Sequence, residues 1–295
     1  MNKIEQQSAA AIPAILLIGA TIAWAGSDHG IVVSGFPLFA LCGALSLAIN
    51  WLVFVPAYAF GTERFFDLTG SLTYISLFAF ALALRGDNDP RAWLITSLVV
   101  LWAARLGSFL FRRVSQDGGD GRFDRIKLSL PRFCMTWTLQ ALWVFLTGAC
   151  GLAAVTAIET RPLGEFALIG FAVWSLGFGI EVAADQQKRR FRREARNEGR
   201  FIDTGIWAWS RHPNYFGEIT LWVGIALIAL PVLQGWQLAT LVSPIFVYVL
   251  LTRISGVPML EERAKKRWGH EPEYRDYLRR TPSLFPRPPK TNRHP

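Results

Sequence analysis

The 295-residue chain is 52% hydrophobic, carries twelve tryptophans and a formal net charge of +9, and has a mean hydropathy of +0.28. Such a composition excludes an ordinary soluble domain and matches a polytopic membrane protein. Cys42, Cys134 and Cys150 lie in apolar runs without close spacing, so neither a disulfide framework nor a zinc site follows, and no metal is expected.

Apolar runs long enough to cross about 30 Å of hydrocarbon as helices cover residues 9–25, 36–60, 68–84, 92–111, 133–157 and 163–184. Two more follow at 219–233 and 236–251; the former is short and contains Pro231, so the last pair is expected to be kinked or partly re-entrant. The pattern predicts an all-α, polytopic integral membrane bundle of seven, or eight, transmembrane helices. It forms one domain over residues 1–286, with a disordered tail at 287–295. The first run ends without a small-residue cleavage site and reads as a retained helix, not a signal peptide. Cations crowd the loop holding Arg112, Arg113, Arg122, Arg125, Lys127 and Arg132, the stretch 188–200, and the tail from Arg263. The positive-inside rule puts these on the cytoplasmic side, with both termini there if eight helices cross.

Polar residues in such a chain need an explanation. Glu63 and Asp67, four residues apart, share a face if the third helix starts there. A carboxyl desolvated beside another carboxylate can stay neutral and donate to a carbonyl oxygen; the alternative is an interfacial helix start. Arg105 interrupts the fourth apolar run two turns from Arg112 on the same face, and an arginine at that depth asks for an anion. Snorkelling, or pairing with Glu63 or Asp67, is the alternative. Glu181, Asp185, Arg189 and Arg192 follow at offsets of four, four and three, a helical face running from acid to base that suits sugar hydroxyls and then phosphates. The same face would also suit a solvated juxtamembrane helix or anionic headgroups.

The densest motif is Ser210-Arg211-His212-Pro213-Asn214-Tyr215-Phe216-Gly217-Glu218. Proline biases His212 toward extended geometry and can open a helix, so that Asn214 and Tyr215 would face a site from a helix N-terminus and Glu218 would lie one turn farther in. After the last apolar run come Arg253, Ser255-Gly256-Val257-Pro258-Met259-Leu260-Glu261 and Glu262. Much of 265–280 reads as a basic amphipathic helix on the membrane surface. There is no P-loop, and Gly177-Phe178-Gly179 lies in an apolar helix with no preceding strand, so it is not a Rossmann fingerprint.

At these residues the chain resembles the steroid 5α-reductase family, in its bacterial branch, over about residues 63–286. The resemblance implies a seven-helix bundle enclosing NADPH, with the cofactor entering from the cytosol and a lipid-like enone from the bilayer. Arg105 and Arg112 resemble the family's arginines near the cofactor phosphates, and Glu181, Asp185 and Arg192 its ribose and phosphate contacts, with Arg189 on the same face. Asn214 and Glu218 match its Asn-x-x-Gly-Glu element at the nicotinamide half; Arg211, His212, Tyr215 and Glu261 fall in its strongest motifs and join the cofactor-binding candidates. Arg253 resembles another pyrophosphate contact. The Glu63/Asp67 spacing resembles the family's Gln-x-x-x-Glu pair that meets the substrate carbonyl. Where the steroid enzymes have a tyrosine one turn before the deep arginine this chain has Trp102, so the carbonyl-polarising network must differ or draw on Tyr74 or Tyr215.

The implied reaction is hydride transfer from NADPH to the β-carbon of an α,β-unsaturated ketone such as a 3-oxo-4-ene steroid, with the enolate oxygen stabilised by a protonated Glu63 or Asp67. The expected setting is a bacterial inner membrane with a cytoplasmic cofactor side, membrane lipid as surroundings, a monomeric state and no nucleic-acid partner. A rival class shares part of the signature: membrane methyltransferases using S-adenosylmethionine also carry Arg-His-Pro-x-Tyr followed by paired glutamates, here Arg211 to Tyr215 and Glu261-Glu262. That methyl donor has no phosphates, which leaves Arg105, Arg112 and Arg192 without a common role. Transport along buried charges is a third reading, and no internal repeat supports it.

Overall fold

Hydrocarbon offers a backbone no hydrogen-bond partner, so apolar runs satisfy their own amides and carbonyls as helices. The computed structural model describes residues 2–117, 121 and 123–289; Arg122, the side chain of Arg113 and tail residues 290–295 lie outside the described residues. Within them the helices are α1 (Lys3–Gly26), α2 (Leu38–Ala59), α3 (Phe66–Arg85), α4 (Pro90–Asp117), α5 (Leu130–Val155), α6 (Glu165–Arg193), α7 (Pro213–Ala229), α8 (Val242–Val249), α9 (Gly256–Trp268) and α10 (Pro272–Arg280). A two-residue hairpin, β1 (Val32–Val33) with β2 (Phe36–Pro37), links α1 to α2. Eight stretches are long and apolar enough to cross a membrane: α1, α2, α3, Pro90–Arg112, α5, α6, Pro213–Val232 and Gly235–Trp268. The all-α membrane bundle read from the sequence is what the chain forms, at the upper of the two helix counts.

Contacts divide the chain into two compact units, Met1–Leu168 with Ala226–Ser243, and Ile169–Ile225 with Pro244–Pro295. In the first, α5 packs against α1, α2, α3 and α4. Its second half, 144–155, is buried all round, as a helix apolar on every face must be. Arg85, with no exposed side-chain surface, ties the end of α5 down by donating to the carbonyls of Val155 at 2.9 Å and Ala157 at 3.1 Å. It is neutralised by Asp87 and by Asp89, the latter at 3.5 Å. Arg91 does the same for α7, donating to Ile228, and also to Pro162 at 3.0 Å. The last carbonyls of a helix have no intrahelical donor, and a guanidinium fills that need where water is scarce.

In the second unit α6 and α7 meet along a glycine seam. A Cβ on Gly177 would lie 2.5 Å from the Leu221 amide; one on Gly217, 2.7 Å from the Glu181 amide; one on Gly224, 2.6 Å from the Trp174 amide. Gly217 and Gly224 are seven residues apart, as are Gly170 and Gly177 facing them, so the contact recurs every two turns. Beyond the seam, Ala184, Ile202 and Trp207 form a small core, with Trp207 Nε1 donating to the Ala184 carbonyl at 3.1 Å. Phe201, Tyr274 and Tyr277 stack nearby, with Trp268 against Phe201 and Tyr274.

The seventh span begins at Pro213, six residues before its apolar run, as the fit of proline to a first helical turn implies. Three expectations change. Pro231 then falls in the 3₁₀ turn Leu230–Val232 that ends the span, where it terminates and does not kink. Residues 265–280 are not one helix: α9 stops at Trp268 and α10 restarts at Pro272, whose ring cannot sit inside a continuing helix. Finally, α3 starts at Phe66, which leaves Glu63 in the preceding turn and removes the shared helical face assumed for it and Asp67.

The seam predicts opposite outcomes for two glycines two residues apart. Gly177→Ala forces a methyl into the Leu221 backbone and should lower thermal stability in detergent by about 1–3 kcal/mol. Gly179→Ala, whose methyl meets nothing within 4 Å, should leave it unchanged or raise it by up to ~1 kcal/mol. Melting curves of the two variants decide this.

Candidate functional site

The candidate residues fall into both units. In the first, Glu63 is 8% exposed and accepts from Lys127 Nζ at 2.8 Å; Lys127 comes from the loop before α5. Lys127 counted only as loop charge in the sequence, and nothing local marks it as Glu63's partner. Asp67 lies half-buried in the first turn of α3, the stretch where Gln140 of α5 donates to the Phe66 carbonyl at 2.7 Å. Helices α3 and α4 approach closely where Gly107 meets Ser71. Arg105 is half-buried on α4 with its guanidinium over the Phe109 ring at 5.5 Å, and Arg112 is exposed. Tyr74 packs edge-on against Trp102 at 5.1 Å, so the phenol considered as a substitute for the family tyrosine sits beside the residue that replaced it.

In the second unit, the acid end of the α6 face is buried, Glu181 at 2% and Asp185 at 7% exposure, while Arg189 and Arg192 are exposed. The gradient follows from burial: carboxylates able to accept from ligand hydroxyls lie deep, and guanidiniums reach water. The glycine seam brings Gly217 of α7 against the Glu181 backbone, and Glu218, half-buried, is the next residue along α7. The seam was the signal in the sequence that was missed; its seven-residue spacing was there to be read. Asn214 and Tyr215 occupy the first turn of α7, both half-buried. A Cβ on Gly256 would lie 2.7 Å from the Tyr215 ring, so the start of α9 packs on that phenol. Arg253 is exposed in a π-helical turn, Leu250–Ile254, a widened geometry common at functional sites.

Arg211, His212 and Glu261 come together differently. One oxygen, Glu261 Oε1, accepts from Arg211 at 2.8 Å, Ser283 Oγ at 2.9 Å and His212 Nε2 at 3.4 Å. Ser210 Oγ donates to the Leu284 carbonyl at 2.8 Å, and the Arg211 amide to Pro282 at 2.9 Å. The His212 ring stacks on Tyr215 at 5.8 Å. Burial, set against the pull of Glu261, holds the His212 imidazole below its ordinary value, so it donates to Glu261 as a neutral ring. These three residues clamp 281–285 onto the entrance of α7 and so position Asn214 and Tyr215.

Residues 53–281 match the model of a family described as a protein of unknown function, DUF1295. An uncharacterized protein of Schizosaccharomyces pombe is 26% identical over 67% of this chain and 64% of its own length. The rat 3-oxo-5-alpha-steroid 4-dehydrogenase 1 is 28% identical over 53% of this chain and 56% of its length. A probable O-methyltransferase of Ustilaginoidea virens is 27% identical over 41% and 42%. The chain thus spans between about two fifths and just under two thirds of the length of these relatives. No solved structure matches it.

The state of His212 has a consequence for stability. Its folded value is depressed while the unfolded value stays near ~6.5, so the unfolded chain takes up the proton first as pH falls. Melting temperature should be full above the ordinary imidazole range and decline as pH drops below it, and His212→Gln should flatten that part of the profile. A wild-type profile flat from pH 8 to 5, or one that His212→Gln leaves unaltered, would contradict a buried neutral imidazole.

Proposed function

Because the chain belongs to the DUF1295 family, which is steroid 5α-reductase-like, we propose that it is an NADPH-dependent integral membrane reductase saturating the C=C bond of an enone in a lipid-like substrate, best matched by a 3-oxo-4-ene steroid. The observation carrying this reading is the α6 face, buried carboxylates at Glu181 and Asp185 continuing into exposed guanidiniums at Arg189 and Arg192. That donor set fits NADPH: carboxylates accept from ribose hydroxyls, and arginines bind phosphates bidentately. NADPH, when bound, supplies the hydride.

The chain's own residues do the rest. Glu181, Asp185, Arg189 and Arg192 hold ribose and phosphates, with Arg253 as a further phosphate ligand. Asn214, Tyr215 and Glu218 orient the nicotinamide half from the first turns of α7, in the position that Arg211, His212 and Glu261 keep. For the substrate carbonyl, a proton donor is needed. Glu63 accepts from the Lys127 ammonium and is in that state an acceptor only, so Asp67 is the carboxyl we assign to the donor, with Tyr74 supplying the phenol. The basic loops favour a cytoplasmic cofactor side.

A second reading is favoured by the resemblance to the probable O-methyltransferase and by the Arg211-His212-Glu261 grouping. It makes the protein an S-adenosylmethionine-dependent methyltransferase of membrane lipids. It leaves the acid-to-base face of α6 without a ligand.

Calorimetry on detergent-purified protein, with NADPH and S-adenosylmethionine side by side, separates the two. We expect NADPH to bind and Arg192→Ala to weaken it roughly 10- to 100-fold, the worth of a charged hydrogen bond. Binding of S-adenosylmethionine alone would favour the second reading. Asp67→Asn should keep NADPH affinity and lose most turnover on a 3-oxo-4-ene steroid, whereas full turnover would remove Asp67 from the carbonyl.

A further inference from the structure

Where α6 ends, the chain turns through a 3₁₀ turn, Ala195–Asn197, and runs extended toward Thr204, bordering an open cavity of about 470 Å³. Its floor is apolar, made by Phe191 and Ile202 of the small core. Its walls bring three guanidiniums, Arg190, Arg196 and Arg200, against a single carboxylate, Glu194. Arg196 neutralises that carboxylate at 2.7 Å, and the Asn197 amide donates to it at 3.2 Å. Two positive charges remain, Arg190 and Arg200, and neither has a carboxylate partner among the described residues.

This is not the face proposed for the cofactor. At about 100° per residue, Gln187 and Arg190 fall roughly opposite Glu181, Asp185 and Arg192 around α6. The cavity also lies at a defined level. Arg190 and Arg193 stand in the last turn of a helix long and apolar enough to cross a membrane, where the charged ends of side chains meet headgroups.

We propose that this cavity binds the phosphate of an anionic phospholipid. Arg190 and Arg200 take the phosphate oxygens, for which the guanidinium fork is suited, and the Phe191–Ile202 floor takes the adjoining carbons of the lipid. A soluble phosphate ester has no use for that floor, and a zwitterionic headgroup would bring a second cation to a site already in excess of them.

The test uses full-length protein exchanged into mixed micelles holding equal phosphatidylglycerol and phosphatidylcholine, with retained lipid counted by native mass spectrometry. Wild-type protein should retain the anionic lipid preferentially. The double variant Arg190→Gln with Arg200→Gln should lose that preference by roughly thirtyfold, at the usual worth of two cations near an anionic surface, and Arg190→Lys with Arg200→Lys should keep part of it. Circular dichroism shows whether each variant is folded, and the wild-type ratio stands even if one is not. Equal retention of the two lipids by wild-type protein, or an unchanged ratio in a folded glutamine variant, would overturn the proposal. Displacement of the lipid by inorganic phosphate or by NADPH would overturn it too, assigning the cavity to a soluble phosphate.

Discussion

A polar group in hydrocarbon has only the protein to bond with, and left alone it costs several kcal/mol, roughly. The placement of charge in this chain follows from that constraint. Arg85 and Arg91 are buried, and each is spent on backbone carbonyls at helix ends and connections, Arg85 with Asp87 and Asp89 beside it. Glu63 is buried against Lys127. Glu181 and Asp185 are buried on a helix whose arginines stand exposed at its far end, and the cofactor site proposed above rests on this separation of acid from base along α6.

The glycine seam is what gives that face a neighbour. Two helices with ordinary side chains sit 8–10 Å apart, about, and glycine lets their backbones close further. Gly177, Gly217 and Gly224 achieve this along α6 and α7, so the glycine of the Gly217-Glu218 step has a packing role. The clamp at Glu261 works at the other end of the motif: Arg211 and His212 are held by the C-terminal segment 281–285, which makes them positioning residues in this account.

Helix class was legible because apolar length is a strong signal: each of the eight runs falls in a stretch long and apolar enough to cross a membrane among the described residues, where the sequence left seven or eight open. Their edges were less so. Hydropathy could not see that Pro213 opens α7, although the proline rule already implied it, and it could not see that Pro231 ends the span. The α6 face was legible because i,i+4 spacing fixes which residues share a side. What stayed hidden was long-range. Lys127 beside Glu63, Tyr74 beside Trp102, and the Asp87–Arg91 cluster at the end of α5 each depend on how helices pack, which no local pattern encodes.

The central claim is that a reduced nicotinamide gives its hydride to carbon on this protein. The most direct measurement supplies NADPH deuterated at the nicotinamide C4 together with a 3-oxo-4-ene steroid to the purified protein in lipid nanodiscs, and follows the label by mass spectrometry. The account predicts a saturated ketone carrying deuterium on the former alkene carbon. Unlabelled, unreduced steroid, with labelled methyl passing instead from S-adenosylmethionine to a lipid acceptor in the same preparation, would contradict it.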